Sequence, residues 1–545
     1  MGNKDKLRSI YHALPDKIRR SGVKVIAWVV VRSLLNFIGM ASVLTVIYFL
    51  IKKEYMDYVA LVISLCAIVL LIKMAALHYI DKYCMYWYLS IYKYLSSSVL
   101  NKYYKCGLLF IRKKGIADLT YNTNGVCYTF ATLLIPSILQ SIGNLCLVTV
   151  FMIGFLIYSP VVALLFVFFA CILIIINVRF VGKNVSLIGK EEIAAKKEQW
   201  KIVQDCFSGY ADMEMNQAFP LFEERFKKGM DVIIDCQYQM KKKREIPVFL
   251  SEITILALLT TVLFLSNSTE ELIMLLGAIS VGAFKILPSL KQIISGWNTL
   301  QNQIYSTDIL YDALNFCVNP LEKNGVALFE EKVVLKNICF SYDNINTVLT
   351  HINMSFKKGE RVGIQGVSGL GKTTLLNVLL GFIVPDKGQV LLDGEDLVNI
   401  NLQSWHRQIG YVPQEVFIAD TSVVGNIAFG IPHKMIDMLK IYEVLKIVQL
   451  YDWVKSLSRE VNTRIGEDGC LVSCGQKQRI GIARALYKGA KILILDEATS
   501  SLDNATERNI LDIVYGLTGE ESERTLIMVS HNESSMKECD RIISL

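Results

Sequence analysis

The chain has 545 residues, of which 52% are hydrophobic, and its formal net charge is +7. This length leaves room for several domains and excludes a single compact core. The basic residues stand in blocks beside apolar runs and form no basic face interleaved with aromatic residues, so nucleic acid binding is not expected. Apolar runs crowd the first part of the chain, whereas the rest has the composition of a soluble domain. The two parts are therefore predicted to lie in different solvents.

Six apolar segments in the first part are long enough to cross a bilayer. A helix needs about 20 apolar residues to cross the hydrocarbon. The backbone must be helical there, because the hydrocarbon offers its polar groups no hydrogen-bond partner. The predicted spans are residues 25–51, 58–77, 133–158, 161–181, 246–265 and 272–294. The first apolar run is too long for a cleaved signal peptide and is expected to stay as an anchor.

Clusters of lysine and arginine orient these spans. They stand before the first span, around Arg112 between the second and third, and at residues 241–244 between the fourth and fifth. Basic connections stay in the cytoplasm, although Lys52 and Lys53 in the first outer turn run against the pattern. We expect an integral, multi-pass protein of a bacterial cytoplasmic membrane, with its N-terminus and its soluble part in the cytoplasm.

Two connections on the inner side, residues 80–131 and 182–245, are longer than loops need to be. Their mixed polar and apolar periodicity predicts helices that extend into the cytosol. The alternative is that these connections form separate small domains, but they lack the glycine and proline residues that usually mark turns between elements. In the first predicted span, the charged group of Arg32 either faces a cavity or reaches the membrane–water interface. For Lys73, in the second predicted span, the membrane–water interface is favoured.

After Asn319 the pattern changes to short β-branched runs that alternate with helical stretches, which is typical of an α/β domain. A buried strand is predicted at 361–365, and residues 366–374 follow it with the sequence GVSGLGKTT before a helical stretch. A strand, this glycine-rich run and a helix together form a complete P-loop. The site is therefore predicted to bind the phosphates of a nucleotide.

Each residue type in this loop has a physical role. Glycines let the backbone amides face phosphate oxygens above a helix N-terminus. The Lys372 ammonium is expected to reach the β and γ phosphates, while the Thr373 hydroxyl is placed to ligate Mg²⁺. The predicted nucleotide-binding residues of the loop are Gly366, Ser368, Gly369, Gly371, Lys372, Thr373 and Thr374.

Two further buried strands end in polar residues. The run 491–497 finishes in Asp496 and Glu497, and the run 525–529 is followed by Ser530 and His531. Parallel sheets present functional groups at the carboxyl ends of their strands. Asp496 suits Mg²⁺, and Glu497 suits activation of the attacking water. His531 by itself is equally well a surface or capping residue.

The order of these motifs resembles that of the ABC transporter superfamily, in the exporter arrangement of a membrane domain followed by an ATP-binding cassette. Tyr342 looks like the aromatic residue that stacks on adenine, its alternative being a plain strand tyrosine. The resemblance implies that Gln414, in the run 411–414, contacts Mg²⁺ and the attacking water. It also implies that His531 contacts the γ-phosphate and makes Lys372, Gln414, Glu497 and His531 the catalytic set.

Further segments carry the same resemblance. The run 472–476 resembles the family signature, so Ser473, Gly475 and Gln476 are expected to contact nucleotide, and Asp503 ends a run similar to the D-loop. Residues 466–469 look like the segment that contacts the membrane domain. Two short segments, 117–127 and 206–218, are expected to couple that domain to the cassette.

The fold class implied is an all-α membrane domain of six helices with long cytoplasmic extensions, followed by an α/β P-loop cassette. The predicted boundaries are a cytoplasmic segment at 1–24, the membrane domain at 25–317, a linker at 318–327 and the cassette at 328–545. The resemblance implies a dimer of two such chains, with ATP and Mg²⁺ as ligands. Membrane lipid and an amphipathic cargo are the other expected partners.

Two departures from the family pattern leave alternatives open. Cys474 stands where the signature usually has its first glycine, which allows either a heterodimer with one weaker signature or a homodimer that tolerates cysteine. The sequence ends at Leu545, soon after His531, where family members usually continue. This end is consistent with a natural short form or with a truncated one.

The implied function is ATP-driven export or flipping of an amphipathic substrate. Bacterial flippases of lipid-linked oligosaccharides are ranked first, with peptide exporters next and general lipid or drug exporters third, because a fold does not choose among cargoes. The alternative is a regulatory or gating subunit that binds ATP within a heterodimeric membrane complex. Intact Glu497 and His531 argue against that alternative.

Overall fold

The computed structural model describes residues 3–51, 58–158, 182–265, 269–315, 325–343, 345–367, 369–466, 469–499 and 503–545, with isolated positions between 159 and 181. The chain divides into two compact units, Met1–Val318 and Asn319–Leu545. The first unit is helical and the second combines helices with two β-sheets. This architecture confirms the predicted fold class.

The first unit consists of helices, several of them much longer than a bilayer is thick. They are α1 (Asn3–Ala13), α2 (Asp16–Ile51), α3 (Val59–Lys105), α4 (Leu108–Lys114), α5 (Ile116–Thr120), α6 (Cys127–Thr129), α7 (Ile135–Tyr158), α8 (Gly182–Ser208), α9 (Tyr210–Met215), α10 (Phe219–Leu265) and α11 (Thr269–Asn315). Two π-helical stretches, Tyr121–Val126 and Phe130–Leu134, join α5, α6 and α7.

The helices α3, α10 and α11 each have 47 residues. At a rise of 1.5 Å per residue, each is about 70 Å long, which is roughly twice the hydrocarbon thickness. The connections predicted at 80–131 and 182–245 are therefore largely helical and continue the predicted spans. The short elements α5 and α9 fall within the segments predicted to couple the two domains; that coupling role stays a prediction.

Three helical stretches among the described residues are long and apolar enough to cross a membrane, namely Asp16–Gly39, Val59–Lys105 and Ile116–Gly154. Only 6% of the most apolar window of the second stretch is buried within the protein. A contiguous apolar surface of this size is typical of contact with lipid. The predicted fifth and sixth spans fall within α10 and α11, and the span at 161–181 lies largely outside the described residues.

One buried apolar core joins several helices of the first unit. Ile91, Leu95 and Val99 repeat every four residues along α3, and their side chains are fully buried. They belong to one cluster with residues of α1, with Phe130 and with Leu310 of α11. The two ends of the unit are also joined by an ion pair of 2.7 Å between Lys6 and Asp308.

The second unit contains nine strands among the described residues. They are β1 (Lys332–Ser341), β2 (Thr347–Lys357), β3 (Arg361–Gln365), β4 (Lys387–Leu392), β5 (Glu395–Asp396), β6 (Ile409–Val412), β7 (Ile492–Asp496), β8 (Thr525–Val529) and β9 (Arg541–Ser544). An antiparallel sheet has the order β2-β1-β4-β5, and a parallel sheet has the order β6-β7-β8-β3-β9.

Helices surround the parallel sheet. They are α12 (Lys372–Leu379), α13 (Leu402–Gln408), α14 (Val423–Ile427), α15 (Met438–Ile447), α16 (Tyr451–Ser456), α17 (Cys474–Lys488) and α18 (Asn504–Gly516). Every residue of β7 and β8 is buried, as continuous apolar runs predict for central parallel strands. Leu493 and Leu495 of β7 and Leu526 and Met528 of β8 join one large core with apolar residues of α15 and α17. This core fixes the strand ends at which the polar residues lie.

Candidate functional site: a nucleotide site at one edge of the parallel sheet

Four neighbouring strands of the parallel sheet end at the same edge. The register pairs Ile364 of β3 and Asp496 of β7 with Val529 of β8, and Val412 of β6 with Leu495 of β7. The chain leaving these strands carries the P-loop, the carboxylate pair, His531 and Gln414. The sheet therefore brings together motifs from distant parts of the chain, such as those of Lys372 and His531, which are 159 positions apart.

The P-loop owes its shape to two glycines with positive φ. Gly369 has φ of 91° and Gly371 has φ of 90°, a region that other residues rarely adopt. A Cβ on Gly371 would also lie only 3.0 Å from the Val348 Cγ1 atom. Helix α12 begins at Lys372, immediately after this glycine. Its first amide groups and its dipole give the loop a positive potential suited to phosphate.

The Lys372 side chain is drawn back under this loop. Its relative exposure is 6%, and its Nζ atom donates to the carbonyl oxygen of Gly366 at 2.7 Å and to that of Val367 at 3.3 Å. Buried ammonium groups are stable only with such oxygen partners. The loop thus holds its single basic side chain against its own backbone carbonyl oxygens.

Lys372, Glu497 and His531 meet at one point. The Glu497 Oε1 atom lies 3.7 Å from Lys372 Nζ and 2.6 Å from His531 Nε2, and these two nitrogens are 3.2 Å apart. Gln414 donates its Nε2 amide to the other carboxylate oxygen of Glu497 at 2.9 Å. The four residues predicted to be catalytic therefore form one hydrogen-bonded cluster.

Glu497 adopts an unusual backbone conformation. Its φ is 51°, in the left-handed region that costs a non-glycine residue about 1 kcal/mol or more. The Glu497 amide is held by a hydrogen bond of 3.0 Å to the Val529 carbonyl oxygen. This local strain turns the carboxylate away from the buried strand and towards the P-loop lysine.

Asp496 is the last residue of β7 and is almost completely buried. Its burial raises the pKa of the carboxyl group, the neighbouring Glu497 charge raises it further, and hydrogen bonds from Tyr411 and Thr373 oppose the rise. The Tyr411 hydroxyl donates to Asp496 Oδ2 at 3.4 Å. Thr373 and Asp496, predicted to share a metal ion, are thus direct neighbours.

Tyr411 is a site residue that the sequence interpretation missed. The run 411–414 drew attention only to its glutamine, whereas the tyrosine at its start reaches the buried carboxylate. A signal existed in the alternation of strand β6, where Tyr411 is half-buried between the buried residues Gly410 and Val412. The register of β6 against β7 places the Tyr411 hydroxyl beside Asp496.

Tyr342 lies beside the P-loop helix. Its hydroxyl oxygen is 3.1 Å from Thr374 Oγ1, and its ring packs edge-on against Phe340 at a centroid distance of 5.0 Å. The Tyr342 side chain is half exposed, which leaves part of the ring available to a ligand. Its predicted stacking on adenine stays a prediction.

The signature and D-loop residues occupy two other helix starts. Ser473 caps α17, and it exchanges hydrogen bonds with Gln476 in a capping box, which leaves Cys474 and Gly475 in the first turn. Asp503 caps α18 by accepting from the Thr506 amide. Among the described residues, no hydrogen bond joins these residues to the P-loop. Ser368, residues 467–468 and residues 500–502 lie outside the described part of the chain.

Comparison with known proteins agrees with this geometry. Residues 349–500 match the family model described as ABC transporter. The ATP-dependent lipid A-core flippase of Cupriavidus metallidurans is 28% identical over 373 residues, which are 67% of this chain and 62% of the relative. That of Syntrophus aciditrophicus is 37% identical over 251 residues, or 46% of this chain and 41% of the relative. The chain therefore spans less than two thirds of these relatives.

Two further relatives extend the comparison. The leukotoxin translocation ATP-binding protein LktB of Mannheimia glucosida is 38% identical over 249 residues, which are 45% of this chain and 34% of the relative. A solved structure of a bacterial Atm1-family ABC exporter with ATP bound superposes with a TM-score of 0.84 at 19% identity. This superposition covers 97% of the chain and 93% of the solved structure.

Residues 349–500 match the ABC transporter family model, and the chain has the fold of an ABC exporter. These findings support the resemblance to ABC exporters that the sequence predicted.

Proposed function

We propose that this chain hydrolyses ATP and couples hydrolysis to the export or flipping of an amphipathic substrate, as one half of a dimeric transporter. The observation that carries the proposal is the convergence of Lys372, His531 and Gln414 on the carboxylate of Glu497. A purely structural P-loop has no need of a glutamate held in a left-handed conformation beside its lysine.

ATP is proposed to lie over the P-loop. The amides of residues 366–374 and the Lys372 ammonium bind the β and γ phosphates, and the Tyr342 ring stacks on the adenine at the half-exposed face. Thr374, 3.1 Å from the tyrosine hydroxyl, links the two ends of this site. Ser368 belongs to the same proposed set.

Mg²⁺ fits the oxygens that lie beside this loop. The buried Asp496 carboxylate and the Thr373 hydroxyl are hydrogen-bonded neighbours, and hard divalent cations prefer such oxygen ligands. We propose these two residues, with Gln414, as its ligands. The bound ion would supply positive charge to the phosphate oxygens.

Glu497 is proposed to act on the attacking water. Its carboxylate accepts the water proton while the Gln414 amide, 2.9 Å from Oε2, fixes the orientation of the carboxylate. His531 lies 2.6 Å from Oε1 and is placed to contact the γ-phosphate. Lys372 then stabilises the negative charge that develops on the transferred phosphoryl group.

The dimer is proposed because, among the described residues, no hydrogen bond joins the signature residues to the P-loop. In the exporter arrangement, Ser473, Gly475, Gln476 and Asp503 of one chain would close over the nucleotide of the other. The helix N-terminus at α17 offers amides and a dipole for phosphate. ATP that bridges two half-sites favours the closed state, and hydrolysis removes this preference.

The signature at the start of α17 leads to a prediction about Cys474. It is exposed in the first turn of α17, where glycine would let a partner's nucleotide approach the backbone more closely. We expect Cys474→Gly to raise the ATPase rate of the chain expressed alone about threefold to tenfold, which corresponds to roughly 1 kcal/mol. The measurement is phosphate release in lipid nanodiscs, with Cys470→Gly, an exposed cysteine outside α17, as the control.

The two outcomes separate the possible dimers. A rise specific to Cys474→Gly means that the chain completes both sites of a homodimer and that the cysteine slows it. An inactive wild type that gains activity only with a second half-transporter indicates a heterodimer. Equal rates for wild type and Cys474→Gly would contradict the prediction.

An internal cavity supports a cargo with a polar portion. It has a volume of about 320 Å³ and lies between α2, α3, α7 and α11, within or next to the predicted spans. Its lining includes Arg32, Ser33, Asn36, Gln140, Asn144 and Gln292. Polar side chains are costly inside a membrane and usually mark a substrate path. We propose that this cavity admits the polar part of a lipid-linked oligosaccharide, another lipid or a peptide.

Arg32 is the charged member of this cavity, where it pairs with Asp81 at 3.1 Å. We expect Arg32→Gln to leave the basal ATPase rate within about twofold while it removes most of the stimulation by transported substrate, since the cassette is untouched. ATPase rates with and without lipid-linked oligosaccharide, lipid A-core or peptide would measure this. Arg20→Gln, an exposed arginine outside the cavity, is the control, and unchanged stimulation in Arg32→Gln would contradict the role.

Transport itself is tested in sealed vesicles. We expect ATP-dependent movement of one of these amphipathic cargoes across the bilayer, abolished by Glu497→Gln. A regulatory or gating subunit, the alternative, would bind ATP without moving any of them. ATP hydrolysis by the complete dimer with no cargo moved and no cargo-dependent change in rate would overturn the transport proposal.

A further inference from the structure

A groove on the cytoplasmic side of the first unit lies between the start of α2 and the middle of α3. Its volume is about 560 Å³, and its walls are mainly apolar. The residues that matter for its chemistry are Lys17 and Ile18 on α2 and Tyr83, Tyr86, Trp87 and Lys93 on α3. The groove is separate from the polar cavity at Arg32 and from the cassette.

Hydrogen bonds from ring donors hold this groove in shape. The Trp87 indole Nε1 donates to the Ile18 carbonyl oxygen at 2.9 Å, and the Tyr94 hydroxyl donates to the Ala13 carbonyl oxygen at 2.9 Å. The helices also approach closely, because a Cβ on Gly22 would lie 2.8 Å from the Trp87 ring. The corner between α1 and α2 is thus fastened to α3, and the groove is preformed.

Two exposed ammonium groups border the groove without a protein partner. Lys17 and Lys93 make no ion pair or hydrogen bond through their side chains within the described residues. The acid next to Lys17 is Asp16, and its carboxylate is already paired with Arg19. The groove therefore has an uncompensated positive charge beside a set of aromatic rings.

One end of the groove lies close to the lipid headgroup layer. Lys17 precedes the predicted start of the first span by eight residues, and Tyr83 follows the predicted end of the second span by six. At 1.5 Å per residue these offsets are about 10 Å, just outside the hydrocarbon, and the groove continues along α3 to Lys93, about 24 Å past the predicted span. Tyrosine and tryptophan favour this depth. Anionic lipids are concentrated on the cytoplasmic side, where the basic connections place this end.

We propose that the groove binds an anionic phospholipid of the cytoplasmic leaflet. Lys17 and Lys93 attract its phosphate, while the rings of Tyr83, Tyr86 and Trp87 pack against the glycerol and the first acyl carbons. The charge of the lysines selects an anionic lipid over a zwitterionic one. The bound lipid joins the corner between α1 and α2 to α3 at the membrane surface.

Native mass spectrometry of the full chain tests this inference. The protein is purified in a neutral detergent and mixed with equal amounts of phosphatidylglycerol and phosphatidylcholine. We expect Lys17→Gln with Lys93→Gln to lower the bound ratio of phosphatidylglycerol to phosphatidylcholine about thirtyfold, and each single substitution to lower it about fivefold. The pair Lys17→Arg with Lys93→Arg keeps the charge and is expected to retain the ratio.

Matched controls separate this site from general surface charge. Lys24 and Lys82 are exposed lysines on the same two helices, but they do not line the groove. The pair Lys24→Gln with Lys82→Gln is expected to change the ratio less than about threefold, because only general surface attraction is lost. An equal loss in this control, an unchanged ratio in the groove variant, or displacement of the lipid by excess inorganic phosphate would each overturn the proposal.

Discussion

Glu497→Gln is expected to lower the ATPase rate by a factor of about 10² to 10⁴, the usual contribution of a positioned general base. Glutamine has nearly the same shape but cannot accept the proton of the attacking water. The surrounding residues hold the side chain on two sides, since Gln414 lies 2.9 Å from one oxygen and His531 2.6 Å from the other. The site should therefore keep its geometry and still bind ATP.

Two measurements on the same purified protein check this expectation. Phosphate release gives the rate, and the fluorescence of a labelled nucleotide gives the affinity, which we expect to stay within about threefold of wild type. The control is Glu521→Gln, which changes an exposed glutamate outside this hydrogen-bonded cluster. A Glu497→Gln variant that keeps more than about a tenth of the wild-type rate would exclude Glu497 as the base.

Lys372→Ala is expected to weaken ATP binding between about tenfold and a hundredfold, because it removes a charge-assisted contact with the β and γ phosphates. The loss of hydrolysis should be larger still, since the same ammonium stabilises charge in the transition state. This lysine is almost completely buried, and the loop carbonyl oxygens of Gly366 and Val367 already hold it in place.

The control for this prediction is Lys387→Ala, an exposed lysine of the antiparallel sheet. Because the buried Lys372 also balances the Glu497 charge at 3.7 Å, the thermal stability of each variant must be recorded. A double variant, Lys372→Ala with Glu497→Gln, removes both charges and separates lost binding from lost folding. If Lys372→Ala bound ATP as tightly as wild type, the lysine would have no part in the phosphate site.

The sequence predicted the cassette well because its motifs are local. A strand, a glycine-rich turn and a helix are set by neighbouring residues, and strands β3 and β8 have the same bounds as the predicted runs. Asp496 and Glu497 were predicted as site residues because they stand at the end of an apolar run. The roles of Gln414 and His531 came from a family resemblance, since a lone glutamine or histidine carries no signal of its own.

The contacts among these residues required the folded sheet. Gln414 and Glu497 are 83 positions apart, and Lys372 and His531 are 159 apart, yet each pair is within hydrogen-bond distance. Which strands are neighbours is decided by the packing of helices against both faces of the sheet. The alternation of β6 marks Tyr411 as half-buried, but its position beside Asp496 depends on the register of β6 against β7.

The sequence by itself determined that the chain has a membrane part and an ATP-binding cassette, and it predicted a set of phosphate-binding residues, because apolar length and motif spacing are properties of the chain alone. Only the tertiary structure decided which side chains meet. It turned Glu497 towards Lys372 through a positive φ, placed Arg32 in a polar cavity, and fastened α3 to the corner before α2 to form a lysine-bordered groove. These arrangements depend on helix and strand packing between distant segments, which composition and periodicity do not specify.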